Sequence, residues 1–255
     1  MSHERVYRIE SSGAEPLAPV SFAEAGLRER QDLQEWVIAH PEILGEDIRI
    51  VAFEFDRWED ADGGRQRDRL DVLGLDQSGF LVLAELKRDA APDTVEMQAI
   101  KYAAMASRFT EEKLVAWHAA MLGRLENRPV SEEEAREALT DHAGELDVEQ
   151  LRRPRIVLVA GAFTRSTTAA VVWLTEMGLD ITLQRVQAYR MGGDDVVITV
   201  SQLFPVPDVE EFTVSPMRME STALRTSSTR SPSTVRRLVK AGTLPDGTVL
   251  TLAPT

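Results

Sequence analysis

The sequence predicts an α/β protein with a mixed central sheet flanked by helices, and two patterns carry this prediction. Residues 69–76 and 80–88 are two apolar-rich segments joined by a three-residue connection that ends in Gly79. Such a connection is a known antiparallel hairpin turn, because Gly accepts the left-handed conformation required there. Residues 155–189 then contain a strand, a helix and a strand, which is the order of a parallel βαβ crossover. A sheet that contains both units is mixed.

The segments before the hairpin predict one helix and two strands. Residues 6–9 are predicted to be a short edge strand followed by a loop. Residues 27–40 are predicted to be a helix, because apolar side chains recur at helical spacing and Pro41 stops the helix. Residues 48–55 have the alternation of a strand. The charged segment 56–68 is expected to be a mobile loop.

The segments after the hairpin predict further helices, a last strand and a linker. Residues 94–108 are expected to be helical, and residues 111–150 are expected to be largely helical and acidic. The βαβ segment, 155–204, ends in a strand that pairs back across a Gly-Gly turn. Residues 205–230 are rich in Pro, Ser, Thr and Arg, which is typical of a linker. We therefore predict one domain over residues 1–204, followed by this linker.

The composition is that of an ordinary soluble globular protein and excludes several kinds of chemistry. Apolar residues make up 43% of the chain and charged residues 28%. The chain has no Cys, which excludes a disulfide framework and Cys-based zinc or thiol chemistry. The four His residues are scattered, without a metal-binding spacing. Neither a signal-peptide stretch nor a run of about 18 apolar residues is present, so we expect a cytoplasmic protein without a membrane span.

Charge is unevenly distributed along the chain. The formal net charge of −13 by itself argues against a nucleic-acid partner, because phosphate binding usually requires a basic surface. However, residues 111–150 carry 11 acidic and 4 basic side chains, whereas residues 215–255 carry 6 basic and 2 acidic ones. The overall charge therefore does not exclude DNA as a partner.

The predicted hairpin brings two carboxylates together. If Asp76 pairs with Phe80, facing positions have numbers that sum to 156, and Asp71 then lies directly opposite Glu85. Their Cβ atoms would be about 4.5–5.5 Å apart on one face of the sheet. Lys87 points to the same face, because side chains alternate along a strand. A bulge at the turn would shift this register by one residue.

Carboxylates in this arrangement need a cation beside them. Two like charges directly opposite each other destabilise a sheet. Hard oxygen ligands at this spacing suit Mg²⁺ or Mn²⁺, and Lys87 adds a further positive charge. Such a group can stabilise the charge that develops on a phosphate under attack. The alternative is a purely structural pair between Glu85 and Lys87 at a solvated strand end, although the apolar residues 81–84 before them indicate a strand buried on both faces.

The spacing and the flanking residues resemble the PD-(D/E)XK nuclease superfamily. Asp71 is followed, fourteen residues later, by Glu85-Leu86-Lys87, which matches the D…(D/E)xK signature. The hairpin, RLDVLGLDQSGFLVLAELKR, is similar to that of the NucS-like endonuclease branch, and QAIKY, ending at Tyr102, resembles the QxxxY motif of many relatives. The stretch LRERQDLQEWVIAHPEILGEDIRI resembles the first helix and first strand of the same bacterial family. The resemblance covers residues 25–110 and implies a restriction-endonuclease-like core.

The resemblance implies a role for each matched residue. Asp71 and Glu85 would be ligands of Mg²⁺ or Mn²⁺, with the backbone carbonyl of Leu86 completing the site. Lys87 would orient or activate the attacking water, or hold the scissile phosphate. Gln98 would lie near the active site on the following helix. One turn further along that helix, Tyr102 is expected to pack the helix on the sheet.

The resemblance also implies a further catalytic glutamate on the first helix, for which there are two candidates. Glu29 lies one turn before Leu33, on the apolar face of the predicted helix. Glu35 lies about 200° around the helix from Leu33 and should face solvent. We assign Glu29 to the site, with Glu35 as the alternative. An ordinary exposed helix charge remains open as the interpretation of Glu29.

DNA contact would fall to basic side chains near the motif rather than to the overall charge. The candidates, predicted as a group, are Arg65, Arg67, Arg69, Arg88 and Lys101. The acidic segment 111–150 should then face away from DNA, or cover the groove when no substrate is bound.

The last residues, 231–255, resemble the opening of the RAMA domain, a module associated with restriction systems and proposed to sense modified DNA. The matching sequence is a predicted short helix at residues 234–241, followed by Gly242 and a Pro-Asp-Gly turn. The likeness covers only a small part of such a domain, so a partial RAMA-like segment is one interpretation. A basic tail that ends in a β-hairpin is the other.

Together these features predict a metal-dependent endonuclease that hydrolyses DNA phosphodiester bonds in restriction, defence or repair. A catalytically silent nucleic-acid- or protein-binding module on the same scaffold is the alternative. RNA and branched DNA stay open as substrates. A homodimer is also open, because cutting two strands takes two sites.

Overall fold

A computed structural model describes residues 4–11, 13–55, 58–59, 65–66, 69–193 and 195–206. These residues belong to one compact unit within Met1–Pro207. The predictions for residues 207–255, which include most of the linker and the RAMA-like segment, lie outside the described residues. The same is true of Arg67 and of the Arg65 side chain.

The described strands and helices follow the predicted order. The strands are β1 (Tyr7–Glu10), β2 (Gly13–Pro16), β3 (Ala18–Val20), β4 (Ile48–Phe55), β5 (Trp58–Glu59), β6 (Arg65–Gln66), β7 (Leu70–Asp76), β8 (Leu81–Leu86), β9 (Arg155–Ala160), β10 (Ile181–Gly192) and β11 (Asp195–Phe204). The helical segments are a π-helix (Glu29–Gln34), α1 (Glu35–Ala39), a 3₁₀ helix (Pro41–Ile43), α2 (Val95–Ala106), α3 (Glu111–Glu126), α4 (Glu132–Ala143), α5 (Val148–Leu151) and α6 (Arg165–Glu176).

The main sheet has seven strands and is mixed, as predicted. Its order is β11-β10-β9-β8-β7-β4, and β3 also pairs with β10. Strands β8, β9 and β10 are mutually parallel, whereas β4, β7 and β8 are joined by antiparallel pairing. The hairpin of β7 and β8 and the unit β9-α6-β10 confirm the two patterns that predicted the fold. The hairpin connection includes Gly79 at φ +87°, the left-handed conformation expected there.

Alternate side chains of the hairpin pack into two different clusters, one on each face of the sheet. Leu73 and Leu83 pack with apolar side chains of α2, α3 and α4. Val72 and Val82 pack with side chains of the π-helix and α1. Because both faces are covered, every residue of β8 is buried. Glu85 therefore lies on a strand that excludes water on both sides.

The N-terminal region differs from its prediction. Strands β1 and β2 form a separate two-stranded hairpin, and β3 joins the main sheet, where a single edge strand and a loop were expected. These strands are mostly exposed, so they lack the alternation of apolar side chains by which a strand is recognised in a sequence. The first helix begins at Glu29 rather than at residue 27, and its first six residues are π-helical.

Two other segments can be compared with their predictions. In the charged segment 56–68, β5 pairs with β6 as a short ladder, and the expected mobile loop otherwise lies outside the described residues. The acidic segment 111–150 is helical, as α3, α4 and part of α5. Helix α4 begins where the side chain of Ser131 accepts a hydrogen bond from the backbone N–H of Glu134. In the part of the chain that the structure describes, no helix is long and apolar enough to cross a membrane.

Helix α3 carries a histidine that should make stability depend on pH. His118 is 1% exposed, and burial together with the Arg49 guanidinium lowers the pKa of its imidazole from 6.5 to about 4. Between these values the unfolded chain binds more protons than the folded one. The free energy of unfolding should therefore fall by about 1 kcal/mol for each pH unit as the pH drops from about 6.5 towards 4.

This dependence can be measured by urea unfolding of the wild type and His118→Phe across that pH range. The variant has no imidazole to protonate, so its unfolding free energy minus that of the wild type should rise as the pH falls. A difference that does not change with pH would contradict the assignment.

Candidate active site at the open end of the hairpin

The register of the hairpin is the one predicted. The observed pairs run from Leu75 and Leu81 to Val72 and Ala84, and the numbers of each pair sum to 156. No bulge interrupts them. The ladder ends at the pair of Val72 and Ala84, so Asp71 and Glu85 occupy the next position in the same register.

At this position the Asp71 side chain, and not a backbone carbonyl of β7, accepts a hydrogen bond from the backbone of Leu86. Asp71 Oδ2 accepts a hydrogen bond of 2.9 Å from the backbone N–H of Leu86. The backbone N–H of Lys87 donates to the Val159 carbonyl at 2.8 Å, which keeps Lys87 attached to β9 although β8 ends at Leu86. The carboxylate of Asp71 is therefore held between the ends of β7 and β8.

The carboxylate of Glu85 is the most confined polar group of the site. Glu85 is 2% exposed. Its Oε1 accepts hydrogen bonds from Lys87 Nζ at 2.5 Å and from Gln98 Nε2 at 2.8 Å. Its Oε2 is buried without a hydrogen-bond partner in the described structure. A buried carboxylate oxygen in this state is costly unless a further group binds it.

The electrostatics reflect a buried acid, Glu85, and a partly buried acid, Asp71, next to one base. Burial and the neighbouring Asp71 raise the pKa of Glu85 to about 7, although Lys87 acts in the opposite direction. Burial also raises the pKa of Asp71, against the effects of the Leu86 N–H and of Lys87. Burial alone would lower the pKa of Lys87, but Glu85, Asp71 and Glu29 together raise it. Lys87 is therefore a cation, and the site favours additional positive charge.

A hydrogen-bonded chain from α2 orients the Glu85 carboxylate. The amide of Gln98 donates both to Glu85 and, at 3.0 Å, to the hydroxyl of Tyr102. That hydroxyl donates to the backbone carbonyl of Arg69 at 2.9 Å. Tyr102 packs in the core, as expected from the sequence, but its hydrogen bonds to Gln98 and Arg69 were not foreseen. The four-residue spacing of QxxxY was the available signal, because it puts both side chains on one helix face.

The first helical segment contributes Glu29, the preferred of the two candidate glutamates. Its Oε2 accepts a hydrogen bond of 2.9 Å from the backbone N–H of Arg88. Its charge raises the pKa of both Asp71 and Glu85. Glu35 is exposed, as predicted. The expected catalytic role of Glu29 remains a prediction.

Three of the five candidate DNA contacts have described side chains. Arg69 pairs with Glu54, with Nη1 and Oε1 3.4 Å apart. Arg88 donates from Nε to its neighbour Asp89 at 2.9 Å. Lys101 is exposed on α2, one turn after Gln98. Arg69 lies two residues before Asp71 and Arg88 three residues after Glu85. DNA contact by any of the three candidates remains a prediction.

The oxygen atoms of the site fit a hard divalent cation. Glu85 Oε2 is buried without a hydrogen-bond donor beside it, so it is available to a cation. Asp71 supplies a second carboxylate. In the described ranges, no group of three or more Asp, Glu or His side chains is arranged to hold a metal ion. Two carboxylates are compatible with Mg²⁺, which commonly takes its remaining ligands from water and substrate phosphates.

Comparison with known proteins gives two similar solved structures. One is the crystal structure of a repair endonuclease from Pyrococcus abyssi, with 18% identity, a TM-score of 0.33, and coverage of 60% of this chain and 46% of that one. The other is an EndoMS-dsDNA2 complex, with 19% identity, a TM-score of 0.33, and coverage of 69% and 48%. The chain spans about half the length of each. No protein-family model and no curated protein matches it.

Proposed function

We propose that this chain is a metal-dependent endonuclease that hydrolyses phosphodiester bonds in DNA. The observation that carries the proposal is the Glu85 carboxylate, which is buried beside Asp71 with Oε1 bound to Lys87 and Oε2 free of any described partner. A sheet selected for stability alone gains nothing from a buried acid next to a partly buried one. An arrangement with raised carboxyl pKa values at the end of a buried strand is instead typical of a functional site.

Asp71, Glu85 and the Leu86 carbonyl would hold Mg²⁺ or Mn²⁺, which when bound supplies positive charge against the negative charge developing on the phosphate. In the hydrolysis, a water oxygen attacks phosphorus and the bond to one sugar oxygen breaks. In this step the Lys87 ammonium either orients the attacking water or holds a phosphate oxygen. Gln98 fixes the Glu85 carboxylate through Oε1, and Tyr102 fixes the Gln98 amide.

DNA is the proposed substrate because the motif and its flanking residues, 25–110, resemble DNA endonucleases of the NucS-like branch. Arg69, Arg88 and Lys101 are the described side chains proposed to contact its backbone. A role in restriction, defence or repair and assembly as a homodimer belong to the same proposal. The same proposal includes the Leu86 carbonyl as a metal ligand and Glu29 as a catalytic group.

A second candidate function is a nucleic-acid- or protein-binding module without catalysis. The observation that favours it is the 2.5 Å contact between Lys87 Nζ and Glu85 Oε1, which already neutralises one carboxylate. The lack of a third suitably placed acid or His in the described residues points the same way. In this case the site would be an internal ion pair that stabilises the ends of β7 and β8.

A cleavage panel separates the two functions. Purified protein is incubated with single-stranded, duplex, mismatched and methylated DNA and with RNA, each with Mg²⁺, Mn²⁺ or EDTA. We expect cleavage of at least one DNA with a metal and none in EDTA. Asp71→Asn should remove the activity, whereas Glu35→Gln, an exposed glutamate on α1, should retain it. No cleavage of any substrate under any metal condition would leave the binding module as the better account.

A further inference from the structure

A cluster of charged side chains lies one strand away from the carboxylates of the site. Glu54 is on β4, between Phe53, which pairs with Val72, and Phe55, which pairs with Leu70. These flanking pairs put Glu54 level with Asp71 across the sheet. Glu54 is therefore the third acidic residue in a row that crosses β4, β7 and β8 at the open end of the hairpin.

Two arginines converge on the Glu54 carboxylate. Arg30 Nε lies 3.7 Å from Glu54 Oε1, and Arg69 Nη1 lies 3.4 Å from the same oxygen. Both separations exceed the usual length of a hydrogen bond, so the ion pairs are loose. The three side chains are accessible, with 55% of Arg30, 29% of Arg69 and 37% of Glu54 exposed. Two guanidinium groups share one carboxylate oxygen, and the cluster keeps a surplus positive charge.

The backbone at Glu54 is also unusual. Glu54 has φ +50°, in the left-handed region that residues other than glycine rarely adopt. The strand contains a register shift between Ile50 and Ala52, a few residues earlier. Strained conformations of this kind persist where the surrounding structure enforces them, and they concentrate at functional sites. Here the strained residue is the one that holds Arg30 and Arg69 together.

The cluster is electrostatically connected to the carboxylates of the proposed nuclease site. Arg30 directly follows Glu29 in the π-helix, and its charge lowers the pKa of Asp71. Arg69 is two residues before Asp71, and its carbonyl accepts the Tyr102 hydroxyl. Two guanidinium groups converge on one anionic oxygen here, and guanidinium is the group that pairs most favourably with phosphate oxygens.

We propose that Arg30 and Arg69 form a binding site for a backbone phosphate next to the scissile one, and that Glu54 occupies this site until the phosphate displaces it. The inference rests on the proposed function for the identity of its ligand, a nucleic-acid phosphodiester. It adds Arg30 and Glu54 to the substrate-binding residues. It also gives Glu54 the opposite effect on affinity from the two arginines.

The test is DNA binding without cleavage, so that it is independent of catalysis. Binding of the full chain to a fluorescein-labelled DNA duplex is measured by anisotropy in EDTA and in Ca²⁺, over a series of salt concentrations. Arg30→Ala and Arg69→Ala should each weaken binding severalfold and reduce the slope of log affinity against log salt by about 1. Glu54→Gln should strengthen binding severalfold, because the competing carboxylate is neutralised.

Matched controls test the specificity of these effects. Arg128→Ala removes an exposed arginine paired with Glu126 and Glu134, on the acidic segment, and should change neither affinity nor slope. Glu35→Gln removes an exposed negative charge that pairs with neither arginine in the described structure, and it should not reproduce the gain of Glu54→Gln.

Three results would overturn the inference: arginine variants with the wild-type slope, weaker binding by Glu54→Gln, or no DNA binding by the wild type in either condition. Failure of the proposed function appears separately, as absence of metal-dependent cleavage in the substrate panel. A chain that binds DNA through Arg30 and Arg69 but cuts nothing would support this inference and refute catalysis. If the chain cuts DNA but the arginine variants keep the wild-type salt dependence of binding, the proposed function is supported and this inference is refuted.

Discussion

Glu85→Gln should abolish cleavage, lowering the rate by at least about 10³-fold, which corresponds to about 4 kcal/mol of lost transition-state stabilisation. The substitution keeps the size of the side chain but removes its negative charge. It also removes an acceptor, because an amide can accept from Lys87 and Gln98 only through its single oxygen. The free Oε2 would become either that oxygen or an NH₂ group that cannot bind a cation.

The same variant should remain folded, which separates catalysis from stability. In the wild type without metal, the Glu85 carboxyl has its pKa raised from 4.5 to about 7, so the folded state binds the proton more tightly than the unfolded chain. The stabilising effect of that proton is present below about pH 4.5 and is lost as the pH rises to about 7. Glu85→Gln has no such proton, so its unfolding free energy minus that of the wild type should increase over this range in EDTA.

The two readouts are a cleavage assay with Mg²⁺ or Mn²⁺ and urea unfolding in EDTA between pH 4.5 and 7.5. Glu35→Gln is the control for the loss of one negative charge, and it should match the wild type in both. Full cleavage activity of Glu85→Gln would refute the assignment of this carboxylate. If the inactive variant is also unfolded at pH 7, its loss of cleavage would be explained by unfolding and not by a catalytic role of Glu85.

The parts of the site that could be predicted from the sequence are those set by local periodicity. A turn of fixed length and the two-residue repeat of a strand determine the register of the hairpin, and so the alignment of Asp71 with Glu85. Helical spacing likewise separated Glu29 from Glu35 and put Gln98 and Tyr102 on one face. Each of these positions depends only on neighbours within one element or across one turn.

The parts that could not be predicted depend on contacts between distant segments. The Tyr102 hydroxyl finds its acceptor on Arg69, which is 33 residues away, and no spacing rule identifies such a partner. The position of Glu54 depends on a register shift in β4, which changes the residues that face β7. The small strands β2 and β3 are held by pairing rather than by apolar burial, so their side chains carried no signal.

Lys87→Met should also remove cleavage, by at least about 10²-fold, since a positioned charge that acts on a reacting phosphate is worth several kcal/mol. Methionine has nearly the length of lysine and is compatible with the partly buried position, where Lys87 is 21% exposed. It leaves Glu85 Oε1 with Gln98 as its one remaining described donor. Lys87 lowers the pKa of Glu85 in the wild type, so its removal should raise that pKa further.

Comparison with Lys87→Arg distinguishes the two roles open to the ammonium. Arginine keeps the positive charge and its attraction to Glu85 and to phosphate, but its planar guanidinium is not a compact point charge and does not reproduce the position of Nζ. If Lys87 serves to hold the scissile phosphate, Lys87→Arg should retain much of the activity. If Lys87 orients the attacking water, the arginine variant should be about as inactive as Lys87→Met.

The control for both variants is Lys113→Met, an exposed lysine in the first turn of α3, which should cut DNA like the wild type. Wild-type activity in Lys87→Met would contradict a catalytic role and leave Lys87 as the cation that neutralises Glu85. In that case Lys87→Met should have a lower free energy of unfolding than the wild type, because the ion pair with Glu85 is lost. Loss of cleavage in a variant that remains folded is the combination that assigns Lys87 to the reaction.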